Sequence, residues 1–228
     1  MKQIVLAIAL LFLSCAALAT PFKPYTAKYK IKAFGLTVGQ ATRDLTINND
    51  DAYGLEMHSW STSMFLKMDV TENSKGNIET NHPASYRYVK KQGDKNKTSI
   101  VTFDWPDLTA VSEYKGQQYV LPLHDDTQDK ISYQLQMRKD LMGGKKEFIY
   151  TLVDDRKIEV YQFNPKGHET IRTSIGTLDT VRMEKESDKS KRSTTFWLAP
   201  KYNYLLVKLE HVEHGTASTI TIDDLKFR

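Results

Sequence analysis

The chain has 228 residues, of which 40% are hydrophobic and 26% are charged, with one cysteine and a formal net charge of +4. An apolar and aromatic content this high excludes a disordered chain, and a single cysteine excludes a disulfide-rich scaffold. The small excess of positive charge gives no reason to expect a nucleic-acid partner.

The first 19 residues predict a signal peptide. Lys2 gives a positive start, residues 4–13 are apolar, and residues 17–19 form an A-x-A cleavage signature. The apolar run is shorter than the roughly 20 residues that a membrane-spanning helix needs. We therefore expect a secreted, periplasmic protein that is cleaved after Ala19. The alternative is lipidation at Cys15, because the residues before it resemble a bacterial lipobox.

Cleavage after Ala19 would leave residues 20–228 as a single β-rich domain without cysteine. A thiol nucleophile, a cysteine zinc site and a disulfide would then be excluded together. We find no other apolar run of membrane-spanning length, so the mature chain is predicted to have no transmembrane span.

An alternation of apolar and polar residues predicts β-strands along most of the remaining chain. In residues 27–33 three lysines alternate with apolar residues, which is typical of an antiparallel sheet with one wet face. This lysine-rich strand is also suited to the edge of a sheet. The further predicted strands are residues 41–47, 53–59, 86–90, 99–105, 110–114, 118–123, 148–153, 157–163, 169–173, 178–184, 193–198, 204–213 and 217–227.

One segment, near residues 127–142, is predicted to be helical. Ile131, Leu135 and Leu141 recur near helical spacing, and Gly143-Gly144 suits the end of a helix. We find no internal repeat and no linker that would divide the chain. The predicted fold class is therefore mainly β: a large antiparallel curved sheet, closed as a barrel, half-barrel or β-spiral, with one helix.

Five motifs resemble a family of exported bacterial envelope proteins, the domain-of-unknown-function family 3108. They occur in order over nearly the whole mature chain, at residues 35–41, 102–105, 129–141, 176–182 and 196–200. The resemblance implies an envelope protein with a β-rich fold. It implies no catalytic residues, because the family has no established activity.

The sequence contains no recognisable catalytic constellation. A G-x-S-x-G nucleophile motif is absent, and so is H-E-x-x-H. His211 and Glu213 would share one strand face, but a metal needs a third ligand from elsewhere. We expect a protein that is not an enzyme and that needs no cofactor or metal, with an unrecognised hydrolase as the less favoured reading.

An aromatic and methionine-rich patch supplies the candidate ligand-binding residues. The patch alternates poorly, and it is either ordinary core or a short mobile lid over the mouth of a barrel, where Met and Phe adapt to an apolar ligand. A second tryptophan adds bulk to the sheet interior. The candidate residues are Trp60, Met64, Phe65, Leu66, Met68 and Trp105.

Our leading hypothesis is a non-enzymatic periplasmic protein that binds an apolar or amphiphilic envelope ligand, lipid or lipoprotein-like, in a β-barrel cavity. The alternative is a protein-interaction scaffold for envelope integrity, which would use the strand at residues 25–33 as an exposed edge together with the charged hairpin tips. Lysine-rich segments at residues 90–97 and 185–192 are either solvated hairpin tips or contacts for anionic lipid headgroups.

Overall fold

A computed structural model describes residues 22–48, 50–62, 67–187 and 191–228, which form one antiparallel sheet of fourteen strands around an α-helix. The helix, α1, spans Tyr133–Met142, and a 3₁₀ turn spans Pro200–Tyr202. The strands are β1 (Tyr25–Ala33), β2 (Leu36–Ile47), β3 (Ala52–Ser61), β4 (Met68–Asn77), β5 (His82–Gln92), β6 (Lys95–Asp104), β7 (Thr109–Tyr114), β8 (Gln117–Pro122), β9 (Phe148–Asp154), β10 (Lys157–Thr173), β11 (Gly176–Lys185), β12 (Arg192–Ala199), β13 (Leu205–Glu213) and β14 (Thr216–Phe227).

The sheet is a meander that curls back on itself into a nearly closed barrel. Its order is β8 to β1, followed by β14 to β9, so every strand pairs with its neighbours in sequence and β14 also pairs with β1. That closing pair joins Tyr25 to Phe227 and continues along both strands. The predicted mainly β fold, a large curved antiparallel sheet with one helix, is confirmed.

The two ends of the barrel differ, because successive hairpin tips alternate between them. We call "helix end" the end with the turns at residues 47–52, 77–82 and 104–109, where Lys139 of α1 donates to the carbonyl oxygen of Glu79 at 2.9 Å. We call "open end" the opposite end, whose tips lie at residues 33–36, 92–95, 114–117, 154–157 and 213–216.

Two sets of contacts close the seam between the edge strands β8 and β9. The chain that leaves β8 runs beside β9, where the Gln128 amide donates to the Thr151 carbonyl at 2.8 Å and the Gln128 carbonyl accepts from Val153 at 3.0 Å. At the open end, Lys97 of β6 reaches across the seam to Asp155, 2.7 Å away in the β9–β10 tip. The free edge of β9 is therefore covered, which protects it from non-native pairing.

α1 lies inside the curve of the sheet and fills the helix end of the barrel. Its Tyr133 and Met137 belong to a cluster with buried residues of β9–β13, among them Phe163 and Phe196. A second and larger cluster joins Leu135 of the helix to buried inner residues of β1–β7. Burial of these apolar faces, at about 25 cal/mol per Å², is the main force that holds the helix in place.

Strand β1 is not the edge that its lysines suggested. It pairs with β14 on one side and with β2 on the other, over its whole length. Its lysines line the outer, wet face of a central strand, and Lys30 forms an ion pair there with Asp223 at 2.6 Å. Alternation therefore identified the wet face correctly, while the position of the strand in the sheet depends on a partner from the other end of the chain.

The helix begins later than the predicted residue 127. Gln128 is extended against β9, and the Asp129 side chain accepts from the backbone amides of Ile131 and Ser132 at 2.9 and 2.8 Å. The first helical residue is therefore Tyr133. Tertiary pairing of Gln128 overrides the local helical pattern, since a residue that bonds to a neighbouring strand is held out of the helical region.

The predicted and the observed numbers of strands are both fourteen, because two errors in the strand prediction offset each other. β4 was not predicted, because its inner positions include Glu72 and Ser74 and the apolar alternation is lost. β10 was predicted as two strands, because Asn164-Pro165-Lys166-Gly167 has the composition of a turn. Those residues lie inside one strand, where the register with β11 shifts between Pro165 and His168. A bulge absorbs the proline and the glycine.

Candidate functional site

The interior of the barrel is filled at the helix end and accessible at the open end. Inner-face residues near the helix, such as Tyr25 and Leu45, are fully buried. Inner-face residues one or two pairs closer to the open end are only partly buried. We call this accessible part of the interior the cup; its inner-face residues include Ile31, Met57, Tyr88, Tyr161, Leu209 and Ile220.

The start of α1 forms the floor of the cup. Tyr133 stacks on Phe163 with a centroid separation of 5.8 Å, and the Tyr161 ring meets it edge-on at 5.7 Å. Beside them, Arg43 of β2 donates through Nη1 to the Gln134 side-chain oxygen at 2.6 Å. These contacts join the helix to both halves of the sheet.

Arg43 is an unusual buried cation. Its side chain is 3% exposed, and its Nε and Nη2 atoms have no hydrogen-bond partner among the described residues. Buried donors are normally satisfied, because leaving one without a partner costs about 1–3 kcal/mol. The Arg43 guanidinium lies close enough to Glu72 for its charge to lower the pKa of that acid, against the larger effect of burial, which raises it.

One wall of the cup holds a cavity of about 490 Å³ between β10, β11 and β12. The Lys185 Nζ atom lies 2.9 Å from the centroid of the Tyr161 ring, and Lys157 pairs with Glu159 at 2.5 Å. Arg192 forms an ion pair with Glu213 at the rim. The inner-face residues that line the cavity are Lys157, Glu159, Tyr161, Lys185, Arg192 and Thr194, so cations outnumber acids among them. We call this the cationic pocket.

Ionisation of the pocket residues is set by their neighbours. Burial raises the pKa of Glu159, but the hydrogen bond and charge of Lys157 outweigh it and hold that pKa below its usual value. Burial, and then the Glu159 and Asp154 charges, raise the pKa of Tyr161 far above its usual value. Near neutral pH the pocket therefore presents an ionised Glu159 and a neutral Tyr161 phenol beside the charged Lys157 and Lys185.

An apolar stripe continues from the cationic pocket across the next strands. Phe196 of β12 pairs with Leu209 of β13, Leu209 pairs with Ile220 of β14, and Ile220 pairs with Ile31 of β1. Directly opposed residues on one face of a sheet have Cβ atoms about 5 Å apart, so the four side chains are contiguous. Phe196 is buried at one end of the stripe, and the partly buried Leu209, Ile220 and Ile31 form its accessible part. The cup thus places a cationic pocket beside an apolar strip.

Two buried carboxyl groups lie deeper, and both serve structure. Tyr86 donates to Glu72 at 2.5 Å, and Ser74 donates to Asp129 at 2.5 Å. Burial raises the pKa of Asp129 to about 6 and raises that of Glu72. Asp129 is fully enclosed, and its contact with Ser74 attaches the residues before α1 to the sheet, whereas the Tyr86–Glu72 bond joins β5 to β4.

Sequence reasoning missed the residues of the cup. Arg43, Glu72 and Lys185 are charged residues at inner positions of strands, and from the sequence they read as outward-facing or as parts of hairpin tips. The signal that could have found them is a charged residue in phase with the apolar residues of its strand. Arg43, between Ala41 and Leu45, has that phase.

The predicted ligand-binding residues fall in different places. Trp60 faces outward, beside the His58 ring at 4.8 Å, and shares with Met68 a shallow surface cavity of about 530 Å³. Trp105 lies at the helix end, where its Nε1 donates to the Pro83 carbonyl at 2.8 Å and its ring stacks on His82. β6 separates the two ends by ten residues, about 30 Å. The predicted residues Met64, Phe65 and Leu66 lie outside the described residues.

Among the residues that the structure describes, no three His, Cys, Asp or Glu side chains converge to hold a metal ion. The ring of His211 instead bonds to Thr194 through Nδ1 at 2.8 Å, and its Nε2 is 3.9 Å from Glu213. Within the same residues no helix is long and apolar enough to cross a bilayer. The predicted signal peptide lies outside the described part of the chain.

The fold is shared with a solved structure of low sequence identity. The crystal structure of a β-barrel-like protein of the domain-of-unknown-function family DUF1849, from Brucella abortus, superposes with a TM-score of 0.63 at 12% identity, covering 92% of this chain and all of that one. A candidate lipoprotein from Parabacteroides distasonis gives a TM-score of 0.36 at 11% identity, over 90% of this chain and 96% of the other.

No curated protein of known function matches the chain. The model of one protein family does match, over residues 24–221, from just before β1 into β14. The match covers nearly the whole sheet and all of α1, and it agrees with the resemblance of the five sequence motifs. The chain therefore belongs to the family described as protein of unknown function (DUF3108).

Proposed function

We propose that this chain is a non-enzymatic envelope protein that binds an amphiphile with an anionic headgroup in the cup. The headgroup would lie in the cationic pocket against Lys185 and Arg192, and the acyl chain would follow the accessible part of the apolar stripe, from Leu209 to Ile31. The observation that carries the proposal is the adjacency of these two surfaces on one inner wall of the barrel.

Both surfaces of the cup would contribute to the free energy of binding such a ligand. Each buried methylene contributes about 0.8 kcal/mol to a chain that lies on the accessible apolar side chains. A charge-assisted hydrogen bond adds about 1.5–3 kcal/mol where water is partly excluded. Only the surplus over the entropic cost of association appears as affinity, and micromolar binding corresponds to a net gain of about 8 kcal/mol.

Periplasmic location and signal-peptide cleavage after Ala19 form part of the proposal. They rest on the N-terminal sequence pattern, since Lys2, the apolar run and the A-x-A signature have the order that export requires. The sequence has no cysteine other than Cys15, so the sheet is stabilised by packing and hydrogen bonds, and an oxidising compartment would not affect it.

Titration with a soluble amphiphile tests the proposal. Lysophosphatidylglycerol below its critical micelle concentration should bind with micromolar affinity in calorimetry, and lysophosphatidylcholine should bind more weakly. Lys185→Gln should weaken lysophosphatidylglycerol binding about tenfold, since it removes one charge-assisted contact worth about 1.5 kcal/mol. Leu209→Ala should weaken both ligands, because it shortens the apolar stripe.

Lys201→Gln is the matched control. Lys201 also lies over a tyrosine ring, with Nζ 5.4 Å from the Tyr202 centroid, but at the helix end. Its removal should leave binding unchanged. Equal loss in the Lys185 and Lys201 variants, or no binding of either lysophospholipid to the wild type, would contradict the proposal.

The scaffold hypothesis loses one of the two surfaces first assigned to it, because residues 25–33 pair on both sides, and keeps the charged hairpin tips. The strand that stands at an end of the sheet is β8, with Val120 69% exposed. β8 is short and ends at Pro122, as protected edges commonly do. We therefore favour the ligand-binding proposal over the scaffold.

A further inference from the structure

The tip between β1 and β2 displays two large apolar side chains to solvent. Phe34 is 79% exposed and Leu36 is 69% exposed. Scattered apolar residues are common on protein surfaces, but here two neighbours project from the open end of the barrel. No described residue packs over either side chain.

The backbone makes Phe34 a costly choice at this position. Phe34 and Gly35 have φ angles of 52° and 75°, as a two-residue hairpin loop of type I′ requires. Asn and Gly tolerate positive φ, whereas a bulky aromatic residue there is strained. Lys115 and His214 hold the same loop position in two other tips of the open end, at φ values of 52° and 49°. The turn itself therefore does not demand an apolar residue.

The open end of the same half of the barrel carries more bases than acids. Along β2–β8, Lys67, Lys91, Lys95 and Lys115 are exposed there, and the acids are Asp69, Asp94 and Glu113, of which Asp69 pairs with His58. The helix end of the same hairpins is acidic instead. Its turns carry Asp50, Asp51, Glu79, Asp104 and Asp107.

A charge difference of this kind orients a molecule in an electric field. An anionic bilayer attracts basic residues near its surface by about 1 kcal/mol each and repels acidic ones. Apolar tips then add their own transfer free energy when they enter the headgroup region. The outward-facing Trp60 is partly buried in a surface cavity that Lys91 also lines.

We propose that the open end docks on a bilayer containing anionic phospholipid. Phe34 and Leu36 would be inserted among the headgroups, and the exposed lysines of the open end would lie against the phosphates. The mouth of the cup then faces the membrane. This inference does not depend on a ligand in the cup, because it rests only on outer and tip residues.

Vesicle flotation tests the docking. The purified chain should float with vesicles of phosphatidylcholine and phosphatidylglycerol, should float poorly with phosphatidylcholine alone, and should be released as salt increases. Phe34→Asn should weaken binding by about tenfold or more, the loss expected when one buried aromatic side chain is removed. Asn suits the I′ loop, so the same variant should also raise the melting temperature.

Val120→Ser is the matched control, since Val120 has the same 69% exposure as Leu36 but lies on β8 away from the tip. It should change vesicle affinity by less than about twofold, whereas Leu36→Ser should resemble Phe34→Asn. Retained binding in both tip variants, equal loss in Val120→Ser, or absence of wild-type binding to anionic vesicles would each overturn the proposal. A wild type that captures another envelope protein through this tip while ignoring vesicles would overturn it too.

The two proposals fail separately. Lysophosphatidylglycerol titration reports on the cup and should be unchanged in Phe34→Asn. Flotation reports on the tip and should be nearly unchanged in Leu209→Ala, whose side chain lies inside the barrel.

Discussion

At the scale of single residues, the interior of this barrel departs from the rule that charged side chains face water. Arg43 and Asp129 are nearly or completely enclosed, although each could be solvated elsewhere in a sheet with one wet face. Both lie where α1 and the residues before it meet the strands, and their hydrogen bonds define how the helix is seated. Apolar packing alone would hold the helix without fixing its rotation.

Asp129 makes stability depend on pH in a predictable direction. Its folded pKa of about 6 lies above the ordinary 3.8, so the folded state binds the proton more tightly than the unfolded state. The stability contributed by the protonated form is therefore present below about pH 4 and is lost as pH rises through about 6. The loss is about 3 kcal/mol at about 1.4 kcal/mol per unit.

We expect Asp129→Asn to remove this dependence, because an amide keeps the acceptor for Ile131 and Ser132 and carries no charge. Urea unfolding at about pH 4 and about pH 7 measures it: the wild type loses more stability than the variant between the two values. Asp107→Asn, in an exposed turn, should behave as the wild type. An unchanged pH dependence in Asp129→Asn would contradict the assignment.

At the scale of elements, the connection from β8 to α1 does two things at once. It covers the free edge of β9 through Gln128, and it delivers the helix into the barrel. The Gln128 side chain adds two hydrogen bonds to Asn81: it donates to the Asn81 carbonyl at 3.0 Å and accepts from the Asn81 side chain at 3.2 Å. One residue thus joins the β4–β5 turn to the seam.

Gln128→Leu should destabilise the protein by about 2 kcal/mol, because it leaves the buried amide of Asn81 without its partner. Chemical unfolding measures the change, and seeding-free aggregation assays should show faster association through the loosened edge of β9. Gln118→Leu, on exposed β8, is the control and should stay within about 0.5 kcal/mol of the wild type. Equal effects of the two substitutions would argue against the seam role of Gln128.

At the scale of the whole molecule, side chains close the barrel at the seam between β8 and β9, where the backbones of these two strands do not pair. Lys97 bonds Asp155 across the seam and lies over the rings of Tyr88 and Tyr114 at 5.4 and 4.9 Å. Lys130 pairs with Asp154 from the same side. Burial alone would raise the pKa of Asp155, but these two lysines lower it, so the seam stays ionised at neutral pH.

Lys97→Met should open the seam at the open end. We expect a loss of about 1 kcal/mol in global stability, as for a partly exposed ion pair. Hydrogen exchange should quicken selectively at residues 154–157 and in β8, while the amides of β2 keep their protection. Lys95→Met, exposed two residues earlier, is the control. Uniform exchange across the sheet in the Lys97 variant would show that the seam is held by something else.

The site was less predictable than the fold. Every strand with an apolar inner face was recognisable from alternation. The predicted helix ended at the observed residue, Met142, but began before the observed first residue, Tyr133. β4 escaped because Glu72 and Ser74 occupy inner positions, which only an internal hydrogen-bonding partner makes tolerable. Lys185 escaped for a similar reason, since its ring contact with Tyr161 joins two strands that a bulged hairpin brings together.

The sequence by itself determined the class of fold and the wet face of the strands whose inner positions are apolar, because side chains alternate along any strand with a period of two and that period is local. Only the tertiary structure decided that β1 is central, that Gln128 is extended and that cations line the cup. Those outcomes depend on pairs far apart in the chain, such as Tyr25 with Phe227, whose meeting is fixed by closure of the whole sheet. Local pattern carries no information about closure, which is a property of all fourteen strands together.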